Sequence, residues 1–213
     1  LPLLVRLLEA PWSGFFCLVF SFGLASLRSG MNITTTEFRG LLVLEPTVHS
    51  DERGSFMESF NEKTFSEGIG QKITFVQDNQ SKSSKGVLRG LHMQRGASAQ
   101  AKLVRVLAGA VLDVAVDLRK DSPSFGQHYA IELTEDNHKQ FFVPAGFAHG
   151  FVVLSESATF FYKVDKFYAP GNEVGIMYND KDLNIDWKLP VSELIFSEKD
   201  KTLGSFAEYA ASL

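Results

Sequence analysis

The run "GVLRGLHMQ", residues 86–94, sets Arg89 and His92 inside an otherwise apolar, strand-like segment, with Gln94 close behind. An imidazole titrates near neutral pH, so a histidine in a cleft can take a proton at one step and return it at another. A guanidinium three positions earlier could hold an anionic group beside it. On a regular strand, however, the two residues have opposite parity and face opposite sides. If both serve one pocket, Gly90 must mark a bulge or bend, which glycine permits. A packed histidine near a strand end is the plain alternative, and the rest of the chain decides between them.

Of the other histidines, His49 lies at a strand end before a turn, and His138 in the polar loop "TEDNHKQ" reads as solvated. His149 follows "VPAGFA" and precedes a glycine, which suggests the mouth of a strand. A metal site would need two or three imidazoles and a carboxylate converging at ligand distance. Metal-binding jelly rolls of the cupin type carry a His-x-His pair on one strand. The corresponding place here reads His92-Met93-Gln94, and Met and Gln are weak ligands for zinc or non-haem iron, so no metal is expected. Cys17 is the only cysteine in the sequence, which allows no intrachain disulfide and no Cys-rich zinc site. A reducing cytoplasm is the natural setting.

Those residues need a scaffold, and 213 residues suit one domain with a full core. Nineteen phenylalanines promise a large aromatic share of that core. A formal charge of −4 argues against nucleic-acid binding, yet leaves room for a small anionic ligand held by a few cations in one cleft. Residues 1–30 read differently. Their apolar run "FFCLVFSFGLASL" (15–27) is too short for a comfortable membrane span, and Arg6 and Glu9 make a poor signal-peptide flank. The expectation is an N-terminal extension outside the domain, which then occupies residues 31–213.

From Gly40 onward, short β-type runs alternate with turn signals. "LLVLEPTVH" (41–49), "SFMESF" (55–60), "KITFVQDNQ" (72–80), "KLVRVL" (102–107), "AVLDVAVDL" (110–118), "HYAIEL", "KQFFV", "HGFVVL" and "ATFFYKV" read as strands. Ala108-Gly109 reads as a hairpin turn, and residues 61–70 as a short helix ended by Gly68 and Gly70. A second short helix is expected over 196–203, with Ser197 as its N-cap. In 110–118, Asp113, Ala115 and Asp117 share one face and Val114, Val116 and Leu118 the other, so one face is packed and the other wet or paired. The pattern predicts an all-β fold, a jelly-roll β-barrel with a few peripheral short helices.

Five segments then occur in order: "DERGSFMESF", "VQDNQSKSSKGVLRGLHMQ", "KLVRVLAGAVLDVAVDLRKDSPSFG", "VPAGFAHGFVVLSESATFFYKV" and "YNDKDLNIDW". Together they resemble the dTDP-4-dehydrorhamnose 3,5-epimerase family, from about Ile33 to the "SEKDK" near the end. The resemblance implies a metal-free, cofactor-free cupin-type jelly roll. It also implies a homodimer in which strands are exchanged and one subunit edges the other's site. The implied reaction inverts C3 and C5 of dTDP-4-dehydro-6-deoxy-D-glucose, giving dTDP-4-dehydro-6-deoxy-L-mannose for dTDP-L-rhamnose biosynthesis. Both carbons flank the C4 ketone. A base can therefore take each α-proton to leave an enolate, and an acid must return a proton from the opposite face.

By the same resemblance His92 matches the general base, Asp200 its carboxylate partner and Tyr162 the acid. Arg89 matches a substrate-binding arginine, and Lys102 a lysine that binds the ligand and steadies the enolate oxygen. Arg53, Glu58, Gln77, Asn79, His149, Glu173 and Lys199 match the remaining nucleotide-sugar contacts. Two rivals stand beside this reading. One is a related cupin that epimerises C3 alone or moves the ketone between C3 and C4. The other is a non-catalytic cupin that binds a sugar nucleotide, against which the intact His92, Tyr162 and Asp200 speak.

Overall fold

The computed structural model describes residues 30–213. The reading of residues 1–30 as an extension, and Cys17 with it, falls on residues that lie, apart from Gly30, outside the described ones. Thirteen strands and two α-helices follow in chain order. They are β1 (Met31–Thr35), β2 (Leu42–Pro46), β3 (Val48–Asp51), β4 (Gly54–Met57), α1 (Glu62–Ile69), β5 (Gln77–Ser84), β6 (Leu88–Gln94) and β7 (Lys102–Ala108). After them come β8 (Ala110–Asp117), β9 (His128–Thr134), β10 (Gln140–Val143), β11 (Phe147–Val153), β12 (Ser157–Val164), β13 (Glu173–Gly175) and α2 (Phe206–Ala211).

One sheet runs in the order β1-β2-β10-β7-β12-β5, a second in the order β13-β6-β11-β8-β9, and β3 with β4 forms a separate two-stranded ribbon. Inward residues of the two large sheets meet in a common core that includes Val43, Val104, Val106, Phe141 and Phe160 from the first and Val111, Ala115, Phe147 and Phe151 from the second. Phe151 stacks on Phe160 at 4.1 Å between centroids, tying sheet to sheet. Truncating such a buried ring to alanine costs about 3–5 kcal/mol. The fold is the expected cupin-type jelly roll.

Each sheet is also covered on its far side. Helix α1 is capped by Asn61, whose side chain accepts from the N–H groups of Lys63 and Thr64, and it lays Phe65 against Phe142 of β10. The segment after β13 folds over the other sheet, where Ile176, Leu183 and Trp187 pack on Leu112, Val114 and Val116. Strand β8 is therefore buried on both faces. Its aspartates are not wet but paired: Asp113 with His149, and Asp117 with Arg119, Ser122 and Ser124.

Three local expectations are corrected. Ala108-Gly109 does turn the chain, with Gly109 at φ +80°, but β7 and β8 belong to different sheets, so the turn is a crossover and no hairpin forms. A Cβ on Gly109 would lie 2.1 Å from the Ser157 carbonyl oxygen, so glycine is what the crossing requires. Of 72–80, only Gln77 onward is strand. Residues 196–203 hold a 3-10 turn, Asp200–Thr202, and not an α-helix; Ser197 Oγ still accepts from the Asp200 N–H at 3.1 Å. The terminal helix is α2, with a capping box between Ser205 and Glu208 that the sequence reading passed over. Among the described residues no helix is long and apolar enough to cross a membrane.

Candidate active site

Strand β6 carries both residues of the opening motif. Opposite it on β11, His149 pairs with His92 and Phe151 with Arg89, so three steps on β6 span two on β11. That is the bulge the parity argument demanded. Gly90, at φ +132°, makes it possible: a Cβ there would lie 2.6 Å from Gly150 Cα and 2.9 Å from the His149 carbonyl oxygen. Leu88, Leu91 and Met93 face the outer cluster, while Arg89 and His92 both line a cavity of about 530 Å³ between the sheets.

Asp200 comes to His92 from the far end of the chain. Residue 195 forms a parallel bridge with Val87, and Ile195 N–H donates to the Gly86 carbonyl oxygen at 2.9 Å, which pins the late segment alongside β6. Five residues on, the Asp200 carboxylate accepts from His92 Nε2 at 2.6 Å. An ionised carboxylate only accepts, so Nε2 holds the proton and the free lone pair sits on Nδ1. Nδ1 lies 3.9 Å from Glu173 Oε1, beyond hydrogen-bond reach. Burial holds the His92 pKa below its ordinary value, with Lys102 adding to the effect and Asp200 and Glu173 opposing it. Neutral imidazole is thus the favoured form near pH 7, as a proton acceptor requires.

The facing wall belongs to the other sheet. Tyr162 stands on β12 between Asn79 of β5 and Val104 of β7. Burial raises its phenol pKa, Glu173 adds to this and Arg89 opposes it, so the hydroxyl keeps its proton. Lys102 of β7 also lines the cavity; burial pushes its ammonium down to about 8 against the pull of Asp113 and Glu173. Arg89 donates from Nε and Nη2 to Ser83 Oγ at 3.3 and 3.2 Å. His149 donates from Nε2 to Asp113 at 2.9 Å, forming a second histidine–carboxylate pair next to the first. A smaller lobe of about 120 Å³ shares His92, Lys102 and Tyr162 and is closed by Gln94, Gln100, Tyr168 and Glu173. Glu173 binds Lys199 Nζ at 2.7 Å and accepts from Tyr168 OH at 2.6 Å. Burial alone would raise the Glu173 pKa, but these two partners and His92 together hold it below the usual range.

The cavity therefore gathers His92, Tyr162, Asp200, Asn79, Arg89, Lys102, His149 and Lys199, with Glu173 in its adjoining lobe. Gln77 stands one step back, donating from Nε2 to Asn79 Oδ1 at 2.8 Å. Arg53 and Glu58 are not brought to it. Arg53 pairs with Asp51 at the tip of the β3–β4 ribbon, and Glu58 accepts from Asn61 beside the start of α1. Sequence reasoning missed Ser83, Tyr168 and the His149 partner Asp113. Asp113 was marked by its polar type inside a valine-rich strand, and Ser83 by the polar inward face of β5. Among the described residues no group of three or more His, Cys, Asp or Glu could hold a metal ion.

Fold and site define a jelly-roll protein of the cupin type whose cavity holds acid–base groups on both walls. The sequence model of the dTDP-4-dehydrorhamnose 3,5-epimerase family matches residues 35–208. The chain is 54% identical over 170 residues to the dTDP-4-dehydrorhamnose 3,5-epimerase of Shigella flexneri, covering 80% of this chain and 93% of that one. It is also similar to the crystal structure of a dTDP-6-deoxy-D-glucose-3,5-epimerase from Legionella pneumophila Philadelphia 1 in complex with dTDP-4-keto-L-rhamnose. That match has a TM-score of 0.79 and 48% identity, and covers 84% of this chain and 96% of the other. A 3'-monoepimerase from Streptomyces bikiniensis in complex with dTDP-quinovose matches with a TM-score of 0.76 and 32% identity, covering 81% and 86%. The chain belongs to the dTDP-4-dehydrorhamnose 3,5-epimerase family.

Proposed function

We propose that this protein is a 3,5-epimerase that converts dTDP-4-dehydro-6-deoxy-D-glucose to dTDP-4-dehydro-6-deoxy-L-mannose. The observation that carries the site assignment is the placement of His92 and Tyr162 on opposite sheets facing one cavity. Inversion needs a proton removed from one face of the sugar and another delivered to the opposite face. His92 Nδ1, with Asp200 holding its tautomer, takes each α-proton, and the C4 ketone receives the electron pair as an enolate. Lys102 and Arg89 are cations lining the same cavity, suited to the enolate oxygen and the pyrophosphate. Tyr162 OH then protonates carbon from the second wall. Asn79, Gln77, His149, Glu173 and Lys199 bind the rest of the nucleotide sugar.

Arg53 and Glu58 serve the site of a second copy in a strand-exchanged homodimer. The support is that the β3–β4 ribbon pairs with neither large sheet, and that Phe56 on it is 71% exposed. Sedimentation at the mass of a single chain would overturn this. Residues 31–213 are the catalytic unit; they contain no cysteine, which suits a cytoplasmic setting. The deciding experiment is NMR of the 4-keto substrate in D₂O, with the full chain and with a chain beginning at Met31. Deuterium at both C3 and C5 with either chain is the expected result. Deuterium at C3 alone would make this a 3-epimerase like the Streptomyces neighbour, and activity confined to the full chain would draw residues 1–30 into the domain.

A further inference from the structure

Gln94 closes the motif that carries His92, yet the proposed chemistry leaves it without a part. It ends β6 with only 5% of its surface exposed. Its Nε2 donates to the carbonyl oxygens of Ser98 at 3.0 Å and Phe167 at 3.3 Å, while Oε1 accepts from the Ala169 N–H at 2.5 Å. Two donors and one acceptor on a single planar group describe a primary amide. A glutamate would press carboxylate oxygen against two carbonyls. An apolar side chain would leave three backbone groups without their partner.

The segment it grips, residues 165–172, runs from the Tyr162 strand to Glu173. Both ends of that segment are fastened separately: Gln100 Nε2 donates to the Lys166 carbonyl oxygen at 2.7 Å, and Arg95 N–H to that of Asn172 at 2.9 Å. Gln94 holds the middle, on either side of Tyr168. Tyr168 is 54% exposed, reaches over to Glu173, and with it walls the smaller lobe of the cavity.

We infer that Gln94 is a positioning residue that keeps segment 165–172 closed over the smaller lobe, so that Tyr168 and Glu173 meet the nucleotide sugar as a preformed wall. The inference rests on the sugar-nucleotide reading above and gives the final residue of "GVLRGLHMQ" its task. A preformed wall spares the ordering that binding would otherwise demand, so losing it weakens binding more than it slows the chemical step.

The test compares Gln94→Glu, Gln94→Met and Gln94→Asn in the full chain, with the 4-keto sugar as substrate and dTDP as binding probe. Gln94→Glu and Gln94→Met should raise KM and the dTDP Kd about tenfold, as loss of a buried hydrogen-bonding group predicts, with kcat within about threefold. Hydrogen exchange over 165–172 should quicken in both while β8 keeps its protection. Gln94→Asn retains the donors and acceptor on a shorter arm and should recover part of the affinity. Unchanged KM and loop exchange would overturn the inference, as would a fall in kcat at constant KM. If the first two variants fail to fold, exchange in the unmodified protein decides. An Ala169 amide as protected as β6 supports the role, and one exchanging like open chain overturns it. An inactive unmodified protein overturns the epimerase reading instead, and dTDP affinity with loop exchange then still judges Gln94.

Discussion

His92 and His149 are cross-strand partners lining the same cavity, and each is bound through Nε2 by an aspartate. Their surroundings differ. The His92 side chain is 26% exposed, and its free nitrogen has no hydrogen-bond partner among the described residues, Glu173 Oε1 lying 3.9 Å away. The His149 side chain is 7% exposed, held by a fully buried Asp113 and stacked near Phe160. The Asp200 carboxylate arrives from 108 positions away on a turn, whereas Asp113 sits on the adjacent strand, 36 positions away. A histidine–carboxylate pair is thus not by itself a base. In the proposed mechanism, access of the second nitrogen to the reacting carbon is what makes the His92 pair the base and leaves the His149 pair to binding.

The largest expected effect falls on the exposed pair. His92→Asn should lower α-proton exchange by about 10²–10⁴-fold while nucleotide-sugar binding persists, the usual loss on removing a general base. His149→Asn should mainly weaken binding. If exchange in D₂O survives in the first variant and vanishes in the second, the two pairs have swapped roles.

Next comes the opposite wall. Tyr162→Phe should leave exchange at its original configuration but reduce inverted product by about 10²-fold, since the base is intact and the acid is gone. Equal loss of exchange and inversion would instead assign the tyrosine to the enolate, and full inversion would make it a packing residue.

Asp200→Asn should cost about 10- to 100-fold in rate, the worth of a hydrogen bond to a charged partner. Its pH profile carries a sign. Asp200 opposes the burial that lowers the His92 pKa, so removing its charge lets that pKa fall further. Activity is lost as pH falls through the pKa of a base, so the acid limb of kcat/KM should move to lower pH. A limb that stays put would uncouple Asp200 from the titrating base.

The smallest effect concerns Lys102, which feels Asp113 of the second pair. Its pKa is depressed to about 8, so the folded state binds fewer protons than the unfolded one between about 8 and the ordinary lysine value of 10.5. Stability should therefore gain a rising contribution across that window, while affinity for the anionic ligand weakens. Denaturant titrations of the parent and Lys102→Met should differ in slope there; identical slopes would show that the lysine titrates normally.

Much of the site was legible because its residues lie on short strands. Alternation placed Asp113 and Asp117 on one face of β8, and the parity conflict between Arg89 and His92 correctly called for a break at Gly90. The same local rules misread Gly109, because a turn residue shows that the chain bends but not which sheet receives it. They likewise offered helix for 196–203, where the structure has only a 3-10 turn pinned beside β6.

What the sequence determined by itself was most of the strands, though not β1 or β13, their polar and apolar faces, and the ordered motifs that carry the family resemblance. All of these are properties of neighbours along the chain, governed by backbone periodicity and by side-chain type. The tertiary structure decided that Asp200 meets His92, that His149 takes Asp113, and that Gln94 spends its amide on residues 98, 167 and 169. It also left Arg53 and Glu58 away from this chain's cavity. Such pairings depend on which strands the core brings side by side, and burial then compels each enclosed polar group to find the partner that chain order does not reveal.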